Sequence, residues 1–155
     1  MNTFRLFLVA VLATGLLSAC GGDDNPVGGN DGVTTFDDLV GTWNAIEAVF
    51  TNNANPSQKV DAVASGLQIV LKFSSDGRFE MTISEAGFSI TLKGPARIAD
   101  SKLFLTLEDL FDLEIELEFT LEGNRLTTTD RNVEFDFDGD GNDEPATQVT
   151  VYVKA

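Results

Sequence analysis

The chain has 155 residues, a length that fits one folded domain. It carries 25 Asp and Glu against 10 Lys and Arg, a net charge of −15, which argues against a nucleic-acid partner because phosphate would be repelled. It contains no histidine and a single cysteine, so a Ser-His-Asp triad and the usual zinc ligand sets are excluded.

The first twenty residues predict a secretory signal. Arg5 gives the start a positive charge, and the apolar run that follows is too short to span a bilayer. The small residues Ser18 and Ala19 then precede Cys20. We predict a signal peptide over residues 1–19. A signal followed by an unmodified cysteine is the alternative, although a lone thiol is a liability in an oxidising compartment.

Residues 20–32 are rich in Gly, Asn and Asp and have no apolar pattern. This composition predicts a flexible tether in front of a folded domain over residues 33–155. Near the start of that domain, Thr35 followed by Asp38 predicts a short capped helical turn. The segment 57–64, which precedes Gly66, favours a second short helix.

Apolar and polar residues alternate along most of the domain, which predicts β-strands with one apolar face. Short turn sequences such as Ser74–Gly77 and Ser84–Gly87 separate the runs, so neighbouring strands should be antiparallel. We predict an all-β, up-and-down meander of eight or nine strands. Closing into a barrel or stacking as a two-sheet sandwich would both bury the apolar faces. The alternating runs begin with a strand around Trp43 and continue over 67–73, 79–83, 88–92, 103–107, 113–121, 133–137 and 149–153.

The apolar faces of these strands hold the residues that would fill the core or line a ligand pocket. Both outcomes are open, because the interior of an eight-stranded barrel can be packed with side chains or can hold one small ligand. An aromatic residue at a strand start can likewise only pack, or can also touch a ligand. The candidates are Trp43, Leu71, Phe79, Met81, Phe88, Ile90 and Leu117.

Catalysis is not expected. Glu114, Glu116 and Glu118 alternate with apolar residues and should lie on the solvent face of one strand. A carboxylate pair that performs acid–base chemistry needs one member in an apolar pocket, where its pKa is raised. No glycine-rich phosphate loop follows a strand either. We therefore predict that the protein is not an enzyme.

The segment DFDGDGNDE, residues 136–144, is the strongest candidate for a metal site. Its oxygen donors match what calcium prefers, and its glycines let the backbone turn around an ion. The candidate ligands are Asp136, Asp138, Asp140, Asn142 and Glu144. A strand precedes the segment, and Thr147 stands where an EF-hand has its bidentate Glu, so an EF-hand is excluded. A structural calcium loop and a plain acidic turn remain the two alternatives.

Two stretches resemble known families. The sequence before Cys20 resembles the lipobox of bacterial lipoproteins. That resemblance implies acylation of Cys20 with palmitate or similar chains and attachment to a membrane. Gly21 after the cysteine implies the outer membrane, with the domain on the periplasmic or the outer surface.

LVGTW, residues Leu39–Trp43, is similar to the G-x-W signature of lipocalin-like barrels, and FSSDGRFEM, Phe73–Met81, resembles a hairpin of bacterial lipocalin-like lipoproteins. GNRLTTT, residues 123–129, fits the same order. The family implies a lipocalin-like β-barrel that binds a small hydrophobic molecule. Its members pack a late Arg across the Trp, whereas here the last strand offers only Lys154 and the nearest late Arg is Arg131.

Together these observations predict an envelope lipoprotein of the outer membrane whose barrel binds a small hydrophobic ligand. The alternative is a non-catalytic structural or interaction lipoprotein that has a filled core and a calcium-stabilised hairpin.

Overall fold

The structure, a computed structural model, describes residues 34–155. The predicted signal peptide, Cys20 and the tether lie outside the described residues, as does Val33. Residues Thr34–Ala155 form one compact unit. Its elements are α1 (Phe36–Leu39), β1 (Gly41–Asn52), β2 (Lys59–Asp61), β3 (Gln68–Ser74), β4 (Arg78–Glu85), β5 (Phe88–Ala99), β6 (Lys102–Leu107), a 3-10 turn (Glu108–Leu110), β7 (Leu113–Glu122), β8 (Arg125–Phe135) and β9 (Glu144–Lys154).

The strands form a closed antiparallel barrel, which decides between the barrel and the sandwich. From β3 to β9 each strand pairs with the next in the chain, and β1 pairs with both β3 and β9. Eight strands therefore make an up-and-down barrel, and β2 is a ninth strand attached to β1. Closure satisfies the backbone groups that an open sheet would leave exposed at its edges. The predicted all-β meander is confirmed, and its architecture fits that of lipocalin-like barrels.

The short helix α1 covers one end of the barrel, which we call the base. Asp38 accepts a hydrogen bond from the backbone N–H of Thr35 over 2.8 Å, as the capping pattern predicts. The ring of Phe36 packs edge-on against Phe73, with 5.7 Å between ring centroids. Leu39 is fully buried. The opposite end, which we call the rim, carries the loop between β8 and β9.

The predicted helix over 57–64 is wrong, because this segment contains β2 and a turn. Val60 lies opposite Phe50 of β1. Asp61 then fixes the turn, since one of its carboxylate oxygens accepts hydrogen bonds from the N–H groups of Ala48 and Val63. Pairing with β1 thus outweighs a local helical preference that is worth little in so short a segment.

Strand β8 also differs from the prediction. The sequence pattern predicts a strand over 133–137, but the structure has one strand from Arg125 to Phe135 that is interrupted by a bulge between Asp130 and Val133. Within it Arg131 and Asn132 stand opposite Thr147 alone, so the bulge contains one extra residue and returns Val133 to the same inner face as Asp130. This feature decides which side chains of β8 beyond Asp130 enter the barrel.

Candidate functional site

The base of the barrel is a packed apolar core. Trp43 is fully buried, and its indole N–H donates to the carbonyl of Leu39 over 2.7 Å. Lys154 lies over the indole, because its Nζ is 5.0 Å from the centre of the Trp43 ring. That ammonium also donates to the carbonyl of Asp38. The ammonium of Lys154 therefore caps the buried indole at the base of the barrel.

The predicted pocket residues divide between this core and the rest of the barrel. Leu71, Phe79 and Leu117 are buried together with Trp43. Met81 and Ile90 are only partly buried, and Met81 packs against the edge of the core. Phe88 lies at the tip of the β4–β5 hairpin, with 57% of its surface exposed. Burial of the apolar wall thus decreases along the β4–β5 hairpin towards its tip.

The wall formed by β1, β9 and β8 has a different character, because polar side chains point inward there. The strand register places residues of these three strands in rows, and members of one row share a face. One row is Ala48, Thr150 and Thr128, all buried. The next row towards the rim is Phe50, Gln148 and Asp130, all partly buried. The barrel interior is therefore apolar on one side and polar on the other.

A chain of hydrogen bonds follows the inner face of β9. The hydroxyl of Tyr152 interacts with the hydroxyls of Thr150 and Thr128. Burial raises the pKa of Tyr152 to about 12, against the smaller opposing effect of those two hydroxyls. The amide of Gln148 donates to the Thr150 hydroxyl over 3.0 Å. At the base end of this series, the hydroxyls of Tyr152, Thr150 and Thr128 thus have partners within the protein. Gln148 lies at the rim end of the series.

Asp130 is the acidic member of this wall. One of its carboxylate oxygens accepts the backbone N–H of Asn132 over 2.8 Å. The second oxygen has no hydrogen-bond donor among residues 34–155. Burial raises the pKa of Asp130 above its usual value, and the Asn132 N–H lowers it by less. Asp130 is therefore a half-buried carboxylate that forms no ion pair within residues 34–155, since the adjacent Arg131 pairs with Glu118.

Three aromatic rings contact one another at the rim end of this wall. Phe50 is stacked on Phe135 with 4.6 Å between ring centroids, and Phe135 is tilted against Phe137 at 4.9 Å. Phe50 belongs to the same row as Gln148 and Asp130. Because β9 runs between β1 and β8, the stacked rings meet across its inner face.

Sequence analysis did not identify Asp130, Gln148 or Tyr152 as site residues. The sequence does contain a clue to Asp130. Leu126, Thr128 and Asp130 occupy every second position of β8 and so share one face, and Leu126 on that face is fully buried. Polar residues at inward positions of a strand are unexpected, so this alternation marks a functional candidate. The pattern is hidden in the sequence because the run LTTTD offers polar residues on both faces.

The acidic loop brings three of its five predicted ligands together. Asp136, Asp138 and Asp140 each offer a carboxylate oxygen, and these oxygens lie within 4.8 Å of one another. Asn142 donates its side-chain amide to Asp140, and Glu144 accepts the N–H of Phe137 over 3.0 Å. The three clustered carboxylates are the oxygen donors that calcium takes.

The same oxygens also serve the turn itself. The carboxylate of Asp136 accepts the N–H groups of Gly139 and Gly141 over 2.6 and 3.0 Å. Asp138 accepts the N–H of Asp140. Such bonds stabilise a plain turn as well as a metal loop, so the geometry fits both of the alternatives that the sequence leaves open.

The outer face of β7 carries the three glutamates that were predicted to lie in solvent. All three are exposed and each is paired with a cation from a neighbouring strand: Glu114 with Arg97, Glu116 with Lys102, and Glu118 with Arg131. The hydrogen bond from Arg131 lowers the pKa of Glu118. None of these three lies in an apolar pocket.

Within residues 34–155, no helix has the length and apolar character needed to cross a membrane.

No protein-family model matches the chain, and no curated protein matches it. Among solved structures, that of EF1p2_mFAP2b bound to DFHBI is similar, with a TM-score of 0.39 and 18% identity over 76% of this chain and 94% of that one. A protein of unknown function from the DUF3598 family of Nostoc punctiforme is also similar, with a TM-score of 0.36 and 15% identity over 77% of this chain. The chain spans about half (49%) of the length of that second protein.

Proposed function

We propose that the protein is a binding module whose barrel holds a small hydrophobic molecule between the apolar wall and the polar wall. The observation that carries this proposal is the asymmetry of the interior. A filled core has no need of a half-buried carboxylate, because such a group costs folding free energy unless something compensates it. Binding sites in barrels combine an apolar lining with a few well-placed polar groups.

A fluorescence titration tests this proposal. The full chain carrying Cys20→Ser, so that no attached acyl chain competes, is titrated with an uncharged apolar dye such as Nile red. Binding should enhance and shift the dye emission at a stoichiometry near one. It should also change the emission of Trp43, the single tryptophan of the chain.

A matched pair of variants locates the dye. Ile83 packs against the core from the inner face of β4, whereas Val70 is an exposed apolar residue on β3. Ile83→Trp should fill the interior and weaken dye uptake, and Val70→Trp should not. Equal effects of both variants, or no uptake by the parent chain, would favour the filled-core alternative.

We propose further that the protein is a lipoprotein of the cell envelope, anchored through Cys20 to the outer membrane. The support is the resemblance of residues 18–20 to the lipobox, together with the tether composition of 20–32. Two or more acyl chains would hold the protein on a bilayer, since each buried methylene contributes about 0.8 kcal/mol. Labelled palmitate should enter the parent chain but not Cys20→Ser, and loss of Cys20 should release the protein from the membrane fraction.

The second candidate function is a structural or interaction lipoprotein in which calcium stabilises the last hairpin. The clustering of Asp136, Asp138 and Asp140 favours it. At one hundred times its dissociation constant, calcium adds about 2.7 kcal/mol to the free energy of unfolding. Thermal unfolding in calcium and in chelator should then differ by several degrees. Asp138→Asn should abolish the difference, while Asp109→Asn, an exposed acid outside the loop, should keep it. If the parent chain unfolds at the same temperature in calcium and in chelator, the segment is a plain acidic turn.

A further inference from the structure

The apolar wall fits any hydrophobic tail, but the polar row limits which head group the ligand can carry. This row is formed by Phe50, Gln148 and Asp130. Resting on the proposed function, we infer that the barrel selects amphiphiles with a positively charged amine or ammonium head, which Asp130 and Gln148 bind beside the ring of Phe50. The three residues lie in one row across β1, β9 and β8. Neighbouring strands are roughly 4.8 Å apart, so the row is wide enough for one small head group.

The negative charge of Asp130 favours a positively charged head group. Asp130 is the acid of this row, and the ion pairs formed by residues 34–155 all join exposed side chains, none of them in the row. A carboxylate or phosphate head would face Asp130 without a compensating cation and would be repelled. An ammonium head would instead neutralise a carboxylate that burial penalises.

The hydrogen-bonding groups fit a head group that donates hydrogen bonds. Among residues 34–155, the second oxygen of Asp130 and the side-chain carbonyl of Gln148 have no donor, while the Gln148 amide donates to Thr150. Two acceptors side by side suit an ammonium, which has up to three N–H groups and no acceptor. The faces of Phe50 and Phe135 supply further attraction for a cation.

The experiment compares three probes that share a twelve-carbon tail: dodecylammonium, dodecanol and dodecanoate. Each is used to displace Nile red from the full chain carrying Cys20→Ser. Hydrogen bonds to charged groups contribute about 1.5–3 kcal/mol, so dodecylammonium should bind roughly ten- to a hundredfold more tightly than dodecanol. Dodecanoate should bind more weakly than dodecanol.

Variants separate the inner carboxylate from the acidic surface. Asp130→Asn should remove most of the preference for the ammonium head, whereas Asp109→Asn deletes the same charge from an exposed position and should keep it. Phe50→Leu gives a second readout that does not alter the charge, and it should weaken dodecylammonium more than dodecanol. Thermal unfolding of each variant establishes that it is folded before the titration.

The outcomes distinguish this inference from the proposed function. If Nile red enters but the three head groups bind equally, or Asp109→Asn acts as strongly as Asp130→Asn, the inference is overturned and the binding module stands. If no dye enters the parent chain, the proposed function and the inference both fail. A preference that depends on Asp130 and Phe50 supports both.

Discussion

Gly94 offers a sharp test of how closely β5 and β6 pack against each other. It lies in β5 opposite Phe79, and a Cβ atom added to it would be 1.8 Å from the carbonyl oxygen of Thr106. Real Cβ contacts stay beyond about 3.0 Å, so β5 and the end of β6 would have to separate by more than 1 Å. Forcing atoms into a packed site costs about 1–3 kcal/mol, and each lost backbone hydrogen bond adds about 1 kcal/mol.

Gly94→Ala should therefore lower the free energy of unfolding by about 3 kcal/mol or more, which corresponds to roughly 10 °C in Tm for a domain of this size. Guanidinium unfolding followed by the emission of buried Trp43 measures this loss. Gly87→Ala is the matched control, because Gly87 has a positive φ of 88° but open space around its Cβ position. It measures the backbone strain alone, about 1 kcal/mol.

The two glycine variants separate close packing from backbone strain. If Gly94→Ala costs no more than Gly87→Ala, the close approach of β5 to β6 does not contribute to stability, and the reasoning is refuted. A change in the slope of the guanidinium curve for Gly94→Ala alone would instead show that the substitution alters the compactness of the native or the unfolded state.

Three further predictions follow from single side chains. Leu105→Ala should cost about 2–5 kcal/mol in chemical unfolding, because Leu105 is 1% exposed and its truncation leaves a cavity; a loss below about 1 kcal/mol would contradict tight packing at this level. Asp130→Asn should raise Tm at pH 7, since burial raises the pKa of Asp130 and so penalises the charged form. That gain should shrink as the pH falls through the raised pKa towards the unfolded value near 3.8, where the native carboxyl is protonated, and a gain independent of pH would refute the assignment. Lys154→Met should keep the apolar stem over Trp43 but remove the charge, so Tm should fall slightly and Trp43 emission should shift; unchanged emission would show that the cation does not affect the indole.

Much of the fold follows from local patterns. The alternation along β3, β6 and β7 correctly predicts which side chains are buried, because strand side chains point to opposite faces in turn. Turn sequences such as Ser74–Gly77 fix antiparallel neighbours, since glycine supplies the positive φ that these turns need. The capped turn at Thr35 is local in the same way and was predicted correctly.

The sequence alone determined the strands and their apolar faces, because these depend on residues close together in the chain. The tertiary structure decided that β1 meets β9, residues about a hundred positions apart, and so that the sheet closes. It also decided that Phe50, Gln148 and Asp130 share one inner row. The register of β9 with β1 and with β8 sets that arrangement. No local rule places an acid inside a barrel, where its desolvation opposes folding.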